Sequence, residues 1–336
     1  MMNSRKNIKH KKKKKVLKKV LLILLLTLIA IVGYAVFQYY QGLQKSDSKS
    51  NMTETYAPEE FKGEKDINGK INVLLLGVDS RGEEKSRTDT IMVAQYDPED
   101  NSARLVSIMR DTYVEIPDHK NYKINTANFL GGPELLRQTL KLNFDLDVQY
   151  YALIDFEGFA ESVDALAPEG IEINVEKEMS KNIDVTLYPG LQKLNGKELL
   201  DFARFRHDAE GDFGRVKRQQ QVINALKDEL ISFNGATKLP KMIGTIQPYF
   251  VTNMDTVDFL SLAKEVVLNP PAEIETLRIP IDNSYTNESY EHAGSVLEID
   301  KEINTQALKD FLSGKPINET SGETLQTEEN LIEEQQ

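Results

Sequence analysis

The chain of 336 residues contains no cysteine and only four histidines. Without cysteine there can be no disulfide staple, no zinc-thiolate centre and no thiol nucleophile. No G-x-S-x-G elbow occurs, and His119 and His207 stand apart from any acid–nucleophile pattern. A Ser-His-Asp hydrolase therefore has no support, and both histidines read as surface residues. No G-x-G-x-x-G run joins a strand to a helix, which argues against a dinucleotide site. Internal repeats are missing as well. Acidic residues are absent from positions 1–20, where ten Lys and Arg fall, so the overall charge of −12 conceals a remainder of −22. A globally basic, nucleic-acid-binding body is thereby excluded.

Charge of either sign is then missing between Lys19 and Lys45, and residues 20–37 (VLLILLLTLIAIVGYAVF) are almost wholly apolar. Extended to residue 40, the run supplies the roughly 20 residues that cross about 30 Å of hydrocarbon. It is too long and too uniformly apolar for a strand or a soluble core helix. It also exceeds the 7–15 residues usual for the apolar part of a cleavable signal peptide, which favours an uncleaved anchor. Tyr34, Tyr39 and Tyr40 stand where an outer aromatic belt would lie. The lysine cluster predicts a cytoplasmic N-terminus and an extracellular remainder: a single-pass type II protein of the cell membrane. Abutting a span, that cluster reads as an orientation signal that attracts anionic lipid, not as a nucleic-acid arm.

The expected organisation is a cytoplasmic basic stub (1–19), a transmembrane helix (20–40), an extracellular tether (41–70), a catalytic domain (71–314) and an acidic disordered tail (315–336). Within the domain, Ile71–Val78 (INVLLLGV) reads as a strand buried on both faces. Further strands are expected at 90–96, 103–108, 149–154, 171–175 and 274–279. Helices are expected at 133–142, 156–166, 197–206 with Asn195 as N-cap, 213–232, 257–267 and 303–312. Strands alternating with helices predict an α/β sandwich, a mixed central sheet covered by helices.

Arginine is unevenly spread: of 11 in the chain, Arg204, Arg206, Arg215 and Arg218 fall within 15 residues. Arginine is suited to bidentate recognition of phosphate and carboxylate. Arg215, Arg218 and Gln219 are spaced i, i+3, i+4, on one face of a helix whose first turns favour an anion. The opposing reading is a solvated helix face paired with Asp208, Glu210 and Asp212. A second cluster holds Asp79, at the carboxyl end of the first strand, with Arg87 and Asp89. Asp79 and Asp89 are hard oxygen donors able to hold Mg²⁺, which binds through one or two carboxylates plus substrate phosphates. A polar strand-to-loop turn would use the same residue types. A third cluster, Arg110-Asp111-Thr112 followed by Lys123, sits at another strand end.

Taken in order, the strings NVLLLGVDSR, SRTDTIMV, LVSIMRDTYVEIP, KINTA, GGPELL, LNGKELLDFARFR and GDFGRVKRQQ resemble the LytR-CpsA-Psr family of Gram-positive cell-envelope proteins. The resemblance is close over residues 71–235; Met109 departs from it, standing where the family usually has proline. It implies a transferase that moves an anionic glycopolymer, of the wall teichoic acid or capsule type, from an undecaprenyl diphosphate carrier to peptidoglycan outside the membrane. It further implies an apolar polyprenyl pocket beside an arginine-lined pyrophosphate site. By position, the residues implied are Asp79, Arg87, Asp89, Arg110, Lys123, Arg204, Arg206, Asp212, Arg215, Arg218 and Gln219. Asp79 and Asp89 are expected to hold Mg²⁺, with Mn²⁺ as the alternative metal. Arg87, Arg110, Arg206 and Arg215 are expected to clamp phosphates, and Lys123, Arg204, Asp212, Arg218 and Gln219 to bind substrate in support. Asp89 or Asp79 is the expected base. Expected partners are the lipid-linked polymer, peptidoglycan and membrane lipid, with no direct nucleic acid. Two alternatives stay open: an envelope regulator affecting autolysis and antibiotic tolerance, and a polyprenyl diphosphate hydrolase.

Overall fold

The computed structural model describes residues 2–45, 60–66, 69–79, 88–246 and 250–317. Arg87, most of the expected tether and the acidic tail beyond residue 317 lie outside the described residues. Met2–Lys45 forms a single helix, α1, whose 27-residue stretch Lys18–Gln44 is long and apolar enough to cross a membrane. Its large apolar side chains from Val20 to Val32 are exposed, as a lipid-facing helix requires. Residues 41–45, assigned to the tether from sequence, continue this helix. Residues 60–66 likewise pack on the domain: the Phe61 ring lies 4.8 Å from that of Tyr151, and the Glu64 N–H donates to the Val148 carbonyl.

The domain begins with strands β1 (Ile71–Val78), β2 (Thr88–Asp97), β3 (Ser102–Ile108), β4 (Thr112–Val114) and β5 (Tyr122–Lys123). Then come α2 (Asn125–Phe144), β6 (Tyr150–Asp155), α3 (Phe156–Leu166), β7 (Ile171–Val175), β8 (Gly190–Leu194), α4 (Gly196–Arg204) and α5 (Gly211–Ile231). The last elements among the described residues are α6 (Phe233–Ile246), β9 (Phe250–Thr252), α7 (Thr256–Leu268), β10 (Ile274–Ile279), β11 (Tyr285–Tyr290), β12 (Gly294–Ile299) and α8 (Lys301–Leu312). Six strands make a mixed sheet in the order β10-β3-β2-β1-β6-β9. Strand β1 runs parallel to β6 and β3 parallel to β10, while the other neighbours are antiparallel. A small second sheet, β11-β12-β4-β5, and the hairpin β7-β8 complete the architecture.

Side-chain alternation decides which face of the main sheet is sealed. Leu74, Leu76 and Val78 of β1 are buried with Leu136, Leu140 and Phe144 of α2 and Leu308 and Phe311 of α8. The intervening Val73, Leu75 and Gly77 are only half-buried, so β1 is not sealed on both faces as its apolar run suggests. The second apolar cluster lies among α3, α4, α5 and the β7-β8 hairpin, opposite that open face. Local signals place these helices. Asp155 caps α3 by accepting the Gly158 N–H at 2.7 Å. Asn195 and Glu198 form a reciprocal capping box at the start of α4. Helix α2 starts eight residues before the expected position, because Gly131 and Gly132 leave helical geometry ahead of Pro133 and hide its first turns.

Candidate active site

The registers Val78↔Asp155, Gly77↔Thr90 and Ile91↔Ile108 bring the ends of β1, β6 and β3 and the start of β2 to one sheet edge. Asp79, Asp89, Arg110 and the N-terminus of α3 therefore meet where the strand order changes direction, a common ligand position in α/β sheets. Beneath them, between the open sheet face and helices α3, α4 and α5, lies a cleft of ≈ 480 Å³. Leu75, Met92, Ala152 and Ile154 floor it, and Phe159, Leu200, Val222, Ile223 and Phe250 wall it. Its other end is charged, lined by Asp79, Asp89, Arg110, Arg204, Arg206 and Arg215.

The charged end is a network closed by long-range pairs. Arg110 Nη1 donates to Asp89 Oδ1 at 2.6 Å, and its Nη2 reaches Asp212 Oδ2 at 3.3 Å. Asp212 in turn pairs with Arg215 Nη1 at 3.2 Å. Asp111 lies behind, 3.5 Å from Arg110 Nε and 2.7 Å from Lys123 Nζ. Across the cleft Arg204 lies 3.8 Å from Asp79 and stacks over the Phe156 ring at 4.5 Å. Gln219 donates to Thr90 Oγ1 at 2.9 Å. Arg206 is exposed and makes no ion pair among the described residues.

The two central arginines differ electrostatically. Burial opposes the Arg110 charge, but Asp212, Asp89 and Asp111 outweigh it and raise its pKa. At Arg215 burial dominates and lowers the pKa; Asp212 and Asp89 oppose it, while Arg110 and Arg206 add like-charge repulsion. Arg215 is 5% exposed and its buried Nε has no hydrogen-bond partner. A buried, under-compensated guanidinium favours a dianionic ligand, since an unpaired buried donor is costly. Asp111 is held below the usual carboxylate range: Lys123 and Arg110 overcome the opposing effect of its burial.

The model of the LytR_cpsA_psr family matches residues 36–308. The chain belongs to this family. It is 45% identical over 282 residues to the regulatory protein MsrR of Staphylococcus aureus, covering 84% of this chain and 85% of the relative. It is 34% identical over 266 residues to the polyisoprenyl-teichoic acid–peptidoglycan teichoic acid transferase TagU of Bacillus mycoides, covering 76% and 84%. The structure of TagT bound to LI-WTA superimposes with a TM-score of 0.59 at 25% identity, covering 75% of this chain and 93% of that one. The mixed α/β fold is thus that of the LytR-CpsA-Psr proteins.

Of the residues expected from sequence, Asp79, Asp89, Arg110, Arg204, Arg206, Arg215 and Gln219 line the LytR-CpsA-Psr cleft. Arg87 lies outside the described residues. Asp212 and Lys123 stand behind the lining and hold Arg215, Arg110 and Asp111 in place. Arg218 turns away, pairing with Asp208 at 2.9 Å, donating to the Phe205 carbonyl and lying over the Phe205 ring at 5.2 Å. Both members of that pair are buried, so the solvated ion-paired face weighed from sequence is paired but not solvated. Gly214 lies against both Glu210 and Arg218: a Cβ there would stand 2.8 Å from the Glu210 Cβ and 3.1 Å from Arg218 Nη1. His207 is exposed, as expected, yet it lines the cleft mouth. Phe156 is not anticipated from the sequence, and Asp111 and Asp208 enter there only as a member of the third cluster and as a pairing partner of the arginine face, with no role in the site. Phe156 directly follows the strand end at Asp155, Asp111 adjoins Arg110, and Asp208 lies between Arg206 and Arg215. For a metal, the described residues contain no cluster of three or more His, Cys, Asp or Glu side chains. Two cleft carboxylates, Asp79 and Asp89, match the donor set of a Mg²⁺ that takes its remaining ligands from phosphates and water.

Proposed function

We propose that this protein is a membrane-anchored, extracellular transferase that moves an anionic glycopolymer from an undecaprenyl diphosphate carrier to peptidoglycan. The observation that carries this reading is the cleft itself: an apolar channel opening onto a buried arginine–aspartate network whose Arg215 lacks a full complement of partners. That combination suits an amphiphile with a long apolar tail and a diphosphate head, and TagU, 34% identical, is named for a reaction of this kind.

The acceptor hydroxyl oxygen forms a bond to the phosphorus that bears the polymer. The bond from that phosphorus to the bridging oxygen breaks, and polyprenyl monophosphate leaves. Arg110, Arg206 and Arg215 neutralise the charge that develops on the phosphoryl oxygens. Arg204, fixed over Phe156, and Gln219, fixed on Thr90, orient the head group. Asp89 or Asp79 receives the acceptor proton. Mg²⁺, when held by Asp79 and Asp89, supplies further charge neutralisation at the diphosphate. A phosphate arriving at Arg110 competes with Asp89 for the guanidinium and releases a carboxylate for either task.

Product analysis tests this. Full-length protein in vesicles with a diphosphate-linked donor and peptidoglycan should yield polymer covalently joined to peptidoglycan. Free phosphorylated polymer would indicate a diphosphate hydrolase instead. A second reading follows from the name of the 45% identical MsrR, a regulatory protein. In it, transfer is absent and the domain only senses the envelope, so donor would be bound and left intact.

A further inference from the structure

Among the described residues, helix α6 contributes no side chain to the lining of the cleft. Along α1, the residues that lose exposure are Ala35, Gln38, Tyr39, Gly42 and Leu43, while the large apolar residues of the preceding turns stay open. The spacing i, i+3, i+4, i+7, i+8 is one stripe of a helix, and α6 is the element packed on it. The contact is backbone to backbone. A Cβ placed on Gly42 would stand 2.2 Å from the Lys241 carbonyl oxygen, and one on Gly244 would stand 2.2 Å from the Tyr39 carbonyl oxygen. Two glycines facing each other in this way let helices approach as they do inside membranes, where small residues replace large ones at crossings.

The depth of the contact is informative. The backbone contacts with α6 fall on Tyr39, Gly42 and Leu43, at the outer end of the stretch Lys18–Gln44 that is apolar enough to span a bilayer, where the aromatic belt is expected. A helix that accompanies α1 to that depth cannot hang in bulk water at the end of a loose tether. Its residues Leu239, Pro240, Met242 and Ile243 are apolar, Lys238 ties the helix to the domain through the Leu166 carbonyl at 3.1 Å, and Lys241 can carry its charge up to the head groups. Helix α6 also packs on α3 and α5, the helices that bring Phe159, Val222 and Ile223 to the apolar end of the cleft. Phe250, four residues beyond α6, lines that same end.

We infer that α6 is a membrane-interface helix, clamped to the anchor through Gly42 and Gly244, which seats the domain on the outer leaflet with the apolar end of its cleft at the bilayer surface. The partner is the lipid bilayer that holds α1. A polyprenyl tail then passes from bilayer to cleft without crossing water, a consequence that rests on the transferase reading, whereas the seating rests only on α1 being the anchor.

The absence of cysteine allows a clean test in the full-length chain reconstituted in phosphatidylglycerol-containing vesicles. Single Lys241→Cys and Met242→Cys variants would carry an environment-sensitive fluorophore, with Leu191→Cys on β8, 66% exposed, as the distant control. Lipids brominated along their acyl chains should quench at least one α6 label several-fold more than the Leu191 label. Equal, weak quenching at all three positions would overturn the seating. Separately, a bismaleimide should join Leu43→Cys to Thr245→Cys within one chain, and Gly244→Leu should lower that yield several-fold; failure of the two cysteines to link with Gly244 in place would remove the clamp. If the labels are quenched and the pair links but no polymer is transferred, the seating stands and the transferase reading fails.

Discussion

Arg215→Lys tests the site at its most constrained residue. The guanidinium is 5% exposed, gives one Nη to Asp212 at 3.2 Å and leaves its Nε without a partner, so the proposed diphosphate is its missing acceptor. Lysine keeps the charge but cannot hold Asp212 and a phosphate with one planar fork. Losing one charge-assisted contact costs roughly 1.5–3 kcal/mol, and at ~1.4 kcal/mol per tenfold this lowers donor binding and transfer by about one to two orders of magnitude. The burial that lowers the arginine's pKa acts on a lysine as well, and lysine starts about two units lower. The variant should therefore acquire an alkaline limb: activity falls as pH rises through the depressed lysine pKa, while the wild type, still charged, shows no such loss from this residue. Initial rates with radiolabelled lipid-linked donor between pH 6 and 9, beside thermal melts of the same preparations, measure both effects. Wild-type rates across that range in a folded Arg215→Lys protein would refute the role assigned to this side chain, and added Mg²⁺ should not rescue the loss.

Asp79→Asn keeps shape and one oxygen, so its transfer should fall at low Mg²⁺ and recover in part at high Mg²⁺ or with Mn²⁺, read from metal titrations of the rate. Arg218→Ala should behave as a folding lesion: it removes the buried partner of Asp208, which among the described residues keeps only Lys177 at 3.2 Å and two backbone N–H groups, and should cost roughly 1.5–3 kcal/mol in urea unfolding. Lys309 and Lys141 hold the Asp145 carboxyl down to about 2, so its contribution is complete above the ordinary carboxylate pKa and disappears as pH falls through 2. Those pairs are exposed and worth under about 1 kcal/mol, so the stability gap between wild type and Asp145→Asn should be small at pH 5 and close towards pH 2. Protease added to intact protoplasts should remove the large domain and leave the lysine-rich stub; a protected domain would reverse the proposed topology.

Strands and helices with a strong apolar period were legible from sequence: β1, β3, α3, β7 and β10 fall within a residue or so of their expected limits. The second sheet was not. Its β4 and β5 have three and two residues, and β11 (YTNESY) has no buried position, so no alternation marks them. Helix α6 was missed because Gly235, Pro240 and Gly244 read as breakers; Gly244 instead permits the crossing with α1. The open face of β1 was hidden for a related reason. An apolar cleft floor and a sealed core use the same residue types, and only the position of α5 across the sheet distinguishes them.

The arginine window shows where one-dimensional spacing stops being informative. Residues i, i+3 and i+4 share a helix face only coarsely, since each residue turns the helix about 100°. From Arg215, Gln219 lies about 40° one way and Arg218 about 60° the other, so neighbours in sequence diverge by roughly 100°. The structure resolves that difference into two environments: Arg215 and Gln219 line the cleft, while Arg218 locks onto Asp208 and the Phe205 carbonyl beneath the α4–α5 loop. What makes Arg215 a site residue is Asp212, one turn before it, which is itself held by Arg110 from 102 positions earlier in the chain. That long-range tie places the end of β3 against the first turn of α5, and with it the two central arginines on one acidic bridge. The proposed diphosphate would be met there by both guanidiniums at once, and no spacing within either segment carries that information.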